Sequence, residues 1–236
     1  MTFFRFCDFL YRLVPNKRRR EYLRQVKLYD WYRKYMALKQ TFPELNFRHT
    51  KMVKGGWNIG FIVDKKYVFK VRKQVDSTIP HDKIVRQKRI TDALLPYSPL
   101  KILNTEIVEI GEYVFYKYDF IPGKNLNEFS LKTIMKYREI WAHQIANFIY
   151  KIHNARPSEI TDLQTTDGDG WNHNDLCNNM IINPKTMKII GVIDWEYSGW
   201  GDLETEINNC TLFSNAMRKS GIGDIIRTEY DKLSRK

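Results

Sequence analysis

Cysteine is scarce in this chain of 236 residues: Cys7, Cys177 and Cys210 are its only three, widely separated and odd in number. They match neither a disulfide framework nor the close ligand spacing of a zinc site, so a reducing compartment is expected. No stretch approaches the roughly 20 apolar residues of a membrane span. The first fourteen residues are broken by Arg5, Asp8 and Arg12, unlike a cleaved signal peptide. A cytoplasmic protein is therefore expected. No G-x-x-x-x-G-K-S/T occurs, which disfavours a P-loop nucleotide enzyme. Acids are in the minority, with 27 Asp and Glu against 39 Lys and Arg, a formal net charge of +12. What is plentiful is core material: 43% hydrophobic residues, in a length that suits one two-lobed unit or two small domains.

The positive charge is local. Residues 1–40 hold eleven Lys or Arg and three Asp or Glu, net +8, interleaved with ten aromatics, while the other 196 residues carry only +4. Phe3, Phe6, Leu10, Leu13 and Val14 fall near helical spacing, and Pro15-Asn16 ends that segment. After the basic run Lys17 to Arg20, a second helix is expected through Gln40 with Tyr22, Val26, Tyr29 and Met36 along one face. Such a segment fits an interfacial membrane helix, with aromatics at the headgroup boundary and Lys or Arg on anionic lipid. It also fits a docking surface for phosphorylated glycolipid, a nucleic-acid patch, or a helical pair packed on its neighbour with a solvated outer face. Of these partners an anionic membrane surface is carried forward, peripheral at its inner face, and nucleic acid is not expected.

The chemistry concentrates between Trp171 and Asp202, WNHNDLCNNMIINPKTMKIIGVIDWEYSGWGD. Ile181-Ile182 and Ile189 to Ile193 are short β-rich segments separated by the turn residues Asn183-Pro184-Lys185-Thr186, so a hairpin is expected. A hairpin brings its two ends together, which sets Asn179 beside Asp194 with Asp175 on the loop leading in. Oxygen ligands beside a free carboxylate suit magnesium-assisted phosphoryl transfer. In that reading Asp194 and Asn179 hold metal, Asp175 accepts the proton of the attacking hydroxyl, and His173 orients the loop. Cys177, inside the loop with no local base motif, reads as a small filler.

These residues carry a resemblance. His173-Asn174-Asp175-Leu176 followed by an Asn, then Ile193-Asp194-Trp195-Glu196-Tyr197-Ser198-Gly199 with Gly201-Asp202, is similar to the signature of the choline kinase and aminoglycoside phosphotransferase group. The resemblance implies the protein-kinase fold, α+β and two-lobed: a small antiparallel β lobe that binds ATP and a shortened helical large lobe, here preceded by the basic helical extension. The expected divisions are 1–45 for the extension, 46–118 for the small lobe and 119–236 for the catalytic lobe. One departure stands out. The group's metal-binding Asn usually follows the Asp by five residues, whereas Asn179 follows Asp175 by four, so Asn178 stays open as a ligand.

Lys51-Met52-Val53, Gly60 to Val63 and Tyr67 to Val71 read as three strands. Gly55-Gly56-Trp57-Asn58 is the candidate phosphate-covering loop, because glycine lets backbone N–H groups approach an anion closely. By the resemblance Lys70 occupies the place of the third-strand cation that holds the α- and β-phosphates, with Lys73 as fallback. Ser77 to Leu95 is helical in pattern but lacks the group's partner glutamate; Gln87 is the best-aligned residue. Glu106 to Ile110 and Tyr113 to Tyr118 read as a hairpin leading to the connection between lobes. Backbone groups around Lys117, Asp119 and Phe120 are the adenine candidates.

Ile134 to Asn154 is a long helical pattern on which His143 and His153 read as core or cap residues. After Asp202 only 34 residues remain, less than the helical ending that supplies much of the ammonium pocket in choline kinases. Trp195, Glu196, Tyr197 and Trp200 would form part of a cation-binding wall or pack. The expected function is an ATP- and Mg2+-dependent kinase acting on a hydroxyl of choline, an amino sugar or a sugar of a bacterial surface glycan such as lipopolysaccharide core, on a small-molecule or glycolipid acceptor. The alternative is a catalytically impaired kinase fold that serves as a binding protein.

Overall fold

The computed structural model describes residues 2–54, 58–73, 81–212 and 214–235. Contacts divide the chain into two compact units, Met1–Ile79 with Glu106–Phe120 and Pro80–Thr105 with Ile121–Lys236. Helices and antiparallel sheets in both bear out the α+β class. No described helix is long and apolar enough to cross a membrane.

The first unit is a five-stranded antiparallel sheet in the order β1-β2-β3-β5-β4, formed by β1 (Lys51–Lys54), β2 (Asn58–Val63), β3 (Tyr67–Arg72), β4 (Glu106–Ile110) and β5 (Tyr113–Asp119). Asp64 and Lys65, both at positive φ, make the tight β2-β3 turn, whose handedness matches strand twist. Period-two alternation sorts the sheet into two faces. Ile59, Phe61, Val63, Phe69, Val71 and Phe115 are buried on one of them. Lys70 stands on the other, in a row with Gly60 and Tyr116 across the strands.

What covers the apolar face is the basic segment itself. It folds as α1 (Thr2–Arg12), α2 (Lys17–Glu21), a π-helical stretch Tyr22–Leu28 and α3 (Tyr29–Thr41). Asn16 caps α2 by accepting the Arg19 N–H. Leu28, Trp31, Tyr35 and Leu38 join the sheet residues in one core. Burial of each large apolar side chain contributes roughly 1.5–3 kcal/mol, so this face of the sheet depends on the helices. Lys34 is also buried, its Nζ donating to Asp30 at 2.7 Å and to the carbonyls of Arg72 and Lys73 at 2.8 and 3.1 Å. Burial pulls the Lys34 pKa down and pushes that of Asp30 up. The backbone acceptors are what complete the ammonium's shell.

In the second unit α4 (His81–Leu94) precedes β6 (Lys124–Asn125), and α5 (Leu131–His153) follows, capped by the Ser130 hydroxyl. Then come β7 (Gly170–Asn172), β8 (Met180–Asn183), β9 (Lys188–Val192), β10 (Gly199–Gly201), α6 (Leu203–Leu212), α7 (Asn215–Ser220) and α8 (Ile222–Ser234). The expected start of the α4 pattern, Ser77, lies outside the described residues. Sequence reading set α4 among residues 46–118 of the small lobe, whereas its arginines tie it to the second unit: Arg89 pairs bidentately with Asp162, and Arg86 donates to the Ser198 carbonyl at 2.8 Å.

The expected hairpin is present as β8-β9, with Met180 opposite Val192. Its turn is built as the residue types suggest, the Asn183 side chain accepting the N–H groups of Lys185 and Thr186. Long helix α5 positions it from below. Gln144 both donates to and accepts from the Ile189 backbone, at 3.1 and 2.9 Å, and the Trp141 indole donates to the Met187 carbonyl at 2.6 Å.

Candidate active site

At the open end of the β8-β9 hairpin the Ile193 N–H donates to the Asn179 carbonyl at 2.9 Å, which places Asp194 next to Asn179 as the spacing implied. Asp175 closes the group. The Asn179 side-chain amide donates to both the Asp175 carbonyl and its carboxylate, each at 2.8 Å. With its nitrogen committed there, the amide oxygen of Asn179 is turned away from the carboxylate. Asn178 is differently employed: its carbonyl and side-chain oxygen accept from the side chains of Asn125 and Asn127. Asn178 thus fastens the loop to β6 and the turn after it, while its own amide donates to the Asp175 carboxylate at 3.4 Å. One carboxylate and one amide oxygen at one hairpin end fit a hard cation that keeps water and phosphate ligands.

His173 is buried, its ring edge-on to Trp195 at 4.8 Å between centroids. Nε2 lies 2.9 Å from the Ile193 carbonyl and Nδ1 accepts the Asp175 N–H at 3.2 Å. That pattern requires the neutral imidazole with its proton on Nε2. Burial pushes its pKa down to about 4, with the Ile193 hydrogen bond and the Asp194 charge opposing. Both ring nitrogens are thus engaged by backbone, Nδ1 by the N–H of Asp175 itself.

The sequence reading missed Glu206. This buried carboxylate on α6 accepts two consecutive backbone N–H groups, of His173 at 3.0 Å and Asn174 at 2.8 Å. Burial raises its pKa to about 7 against those two hydrogen bonds. A signal was available: Leu203, Glu206, Ile207 and Cys210 share one helical stripe, so Glu206 is an acid on an otherwise apolar face. Asn172 was missed too. It is buried, lies 2.9 Å from His153 Nδ1 and donates to the Asp202 carbonyl at 2.7 Å. Gly170, two residues earlier on β7, has no room for a Cβ against the His153 carbonyl and ring.

Asn174 and Asp194 adopt φ of +64° and +62°. The left-handed region costs a non-glycine residue about 1–3 kcal/mol and persists where the surroundings over-determine it. Around Asn174 they do, since its side chain donates to the Tyr197 carbonyl at 3.0 Å and its carbonyl accepts from Asn209 at 3.3 Å.

The remaining expected site residues are in the first unit or outside the description. Gly55 and Gly56, with Trp57, lie outside the described residues. Lys70 projects from the face of the sheet opposite Phe69, whereas the Lys117 ammonium is on the Phe69 face, 2.7 Å from Glu106 and over the rings of Phe42 and Tyr67. Asp119 ends β5 opposite Tyr67. The Phe120 N–H, one of the expected adenine donors, is already given to the Lys66 carbonyl at 2.8 Å. Gln87 is buried on α4. Cys177 is fully buried, against Met217, which agrees with a filler. Trp195 is fully buried and Trp200 lies under Arg156 and edge-on to Trp171, so of the expected cation wall only Tyr197 is well exposed.

Residues 136–227 match the model of a phosphotransferase enzyme family. Among solved structures the chain is similar to the ADP-bound aminoglycoside phosphotransferase APH(2'')-Ib, at 15% identity and TM-score 0.64 over 83% of this chain and 81% of that one. It is similar to APH(2'')-IIa in a ternary complex with streptomycin and ATP, at 15% identity and TM-score 0.63 over 83% and 81%. It is also similar to the GDP complex of aminoglycoside 2'-phosphotransferase-IIIa, at 14% identity and TM-score 0.60 over 86% and 89%. No curated protein sequence matches the chain. At such identities the likeness to solved structures is one of fold, the protein-kinase-like fold expected. With the family match, which spans the loop from Trp171 to Asp202, it bears out the resemblance to the choline kinase and aminoglycoside phosphotransferase group and the expectation of a phosphotransferase.

Proposed function

We propose that this chain transfers the terminal phosphate of a magnesium-bound nucleoside triphosphate to a hydroxyl of a small polar acceptor. The observation that carries the reading is the Asp175 carboxylate, held by the Asn179 amide on one side and aimed by His173 through its own N–H on the other. A carboxylate so placed suits the acceptor proton, since positioning rather than covalent chemistry is what phosphoryl transfer asks of a protein. Asp194 and Asn179 would hold the cation, which when bound neutralises charge on the phosphates. Lys70, on the sheet face opposite the packed helices, would take the α- and β-phosphates. The glycines at 55 and 56 would cover them, and backbone groups near Lys117 and Asp119 would receive the base.

The complexes of similar structures hold ADP, ATP or GDP, so both ATP and GTP are candidate donors. For the acceptor, aminoglycoside-like amino sugars, choline and a sugar of a surface glycan such as lipopolysaccharide core share a hydroxyl beside polar or cationic groups. A glycolipid acceptor would bring the enzyme to the inner face of an anionic membrane, to which the net positive charge of residues 1–40 would be attracted. A non-catalytic binding role is the outcome if nucleotide binds and no acceptor is modified.

Calorimetry of ATP and GTP binding, with and without magnesium, tests the assignment. Asp194→Ala and Asn179→Ala should abolish the magnesium-dependent part of the affinity, while Asn178→Ala should leave it. The reverse ranking of the two asparagines would move the metal to Asn178.

A further inference from the structure

Helix α1 turns two apolar stripes in different directions. Phe4, Cys7 and Tyr11 pack toward the core of the first unit, whereas Phe6, Phe9, Leu10 and Leu13 are 42–64% exposed. Their spacing, i, i+3, i+4 and i+7, makes the outer set one continuous stripe. Of fifteen exposed large hydrophobic side chains among the described residues, eight lie between Phe6 and Tyr32, so the outward apolar surface is concentrated on this segment. Scattered single residues would need no explanation, but a contiguous stripe does. The stripe runs out at Leu13, one turn before Lys17, Arg18 and Arg19, all exposed. A groove of about 530 Å³ lined by Phe4, Arg5, Asp8, Phe9, Arg12 and Tyr32 flanks it. Asp8 is neutralised there by Arg12 and Arg24 at 2.9 and 2.6 Å, which leaves the groove cationic.

We propose that the outer stripe of α1 with the Lys17–Arg19 run is a bilayer-docking surface, Phe6, Phe9, Leu10 and Leu13 entering the acyl boundary of an anionic leaflet while the basic run and Arg5 meet lipid phosphates. Charge complementarity selects this occupant. Apolar side chains alone would accept a second copy of the chain, yet a two-fold contact would set two surfaces of net +8 against each other. Nucleic acid would match the charge and would stack bases on Phe6 and Phe9, but it has no use for the aliphatic Leu10 and Leu13 in the same stripe. An anionic bilayer satisfies both features at once. Because the inner stripe of α1 is anchored in the unit's core, the outer stripe is presented on a folded surface rather than on a loose tail. The inference rests on the membrane-facing part of the proposed function and not on the phosphotransfer chemistry.

The test uses the full chain in co-sedimentation with phosphatidylcholine vesicles containing or lacking phosphatidylglycerol. Binding should require phosphatidylglycerol and be released by salt. Phe9→Ser with Leu13→Ser should weaken it by about a hundredfold through lost apolar burial. Lys17→Gln with Arg18→Gln and Arg19→Gln should do the same through lost attraction. If one variant fails to fold, the other still decides. Equal binding to neutral vesicles, unchanged binding of both variants, tighter binding to duplex DNA at the same salt, or a dimer that the serine variant dissociates would each overturn the proposal. Transfer to a soluble acceptor should be unchanged in both variants, so failure of the native chain to bind phosphatidylglycerol vesicles condemns the docking surface alone, and absence of transfer with native vesicle binding intact condemns the phosphotransfer reading alone.

Discussion

The Glu206 carboxylate lies 3.0 Å from the His173 backbone N–H and takes the next N–H, of Asn174, with its second oxygen. One buried side chain on α6 therefore fixes two successive peptide units immediately before Asp175. Removing it leaves both donors unsatisfied in a dry interior, at about 1–3 kcal/mol each. Glu206→Ala should lower unfolding free energy by about 2–4 kcal/mol and reduce kcat more than nucleotide affinity, measured by denaturant titration and steady-state kinetics. Unaltered kcat would mean that the loop holds its shape without this anchor.

Glu206 and His173 should oppose each other in the pH dependence of stability. Glu206 rises to about 7 from an ordinary 4.5, with Asp175 adding to the burial effect, so the folded chain holds the proton longer and stability is lost as pH climbs from about 4.5 to about 7. His173 falls to about 4 from 6.5, so the folded chain binds fewer protons and stability is lost as pH drops from 6.5 to about 4. Each effect is about 3 kcal/mol at full extent, and between 4.5 and 6.5 they largely cancel. Glu206→Gln should unmask the histidine, giving a curve that rises with pH through that window; His173→Gln should give one that falls. Parallel curves for the two variants would contradict the assignment.

The helical segment and the sheet should not come apart. A chain starting near Phe42 loses Leu28, Trp31, Tyr35 and Leu38 from the first unit's core, and with them Lys34, which closes the Arg72 and Lys73 carbonyls at the end of β3. Such a truncation should be insoluble or lack a cooperative transition. Within the full chain, Lys34→Ala should cost about 3–5 kcal/mol, as for a buried ion pair with one partner removed, whereas exposed Arg33→Ala should cost less than about 1 kcal/mol. A soluble truncation with a sharp melt would make the helices an appendage.

Much of the second unit was legible because its signals are local. Asn183-Pro184 and the isoleucine runs on either side dictate a hairpin, and hairpin geometry alone brings Asn179 to Asp194. What was not legible depends on residues far apart in sequence. Glu206 stands out as an acid on the apolar stripe of α6, but what it holds, more than thirty positions upstream, is set by the fold and not by local pattern. Spacing alone leaves both Asn178 and Asn179 open as ligands, because the hydrogen bonds that Asn125 and Asn127 give to the oxygens of Asn178 come from residues about fifty positions upstream. The basic segment misleads for a different reason: its charges and exposed aromatics advertise a surface, while Trp31, Lys34 and Leu38, on the opposite side of the same helix, are core. α4 was assigned by pattern to its sequence neighbours, but Arg86 and Arg89 find their acceptors at Ser198 and Asp162.

The most direct measurement is transfer of label from γ-labelled ATP and GTP, with magnesium, to a panel of aminoglycosides, choline and core-sugar acceptors, run side by side for the native chain and Asp175→Asn. The account predicts acceptor-dependent product with the native chain, lowered by about 10²–10⁴ in the variant while nucleotide affinity stays the same. Product formed equally by both proteins, or nucleotide bound and no acceptor labelled by either, would contradict it.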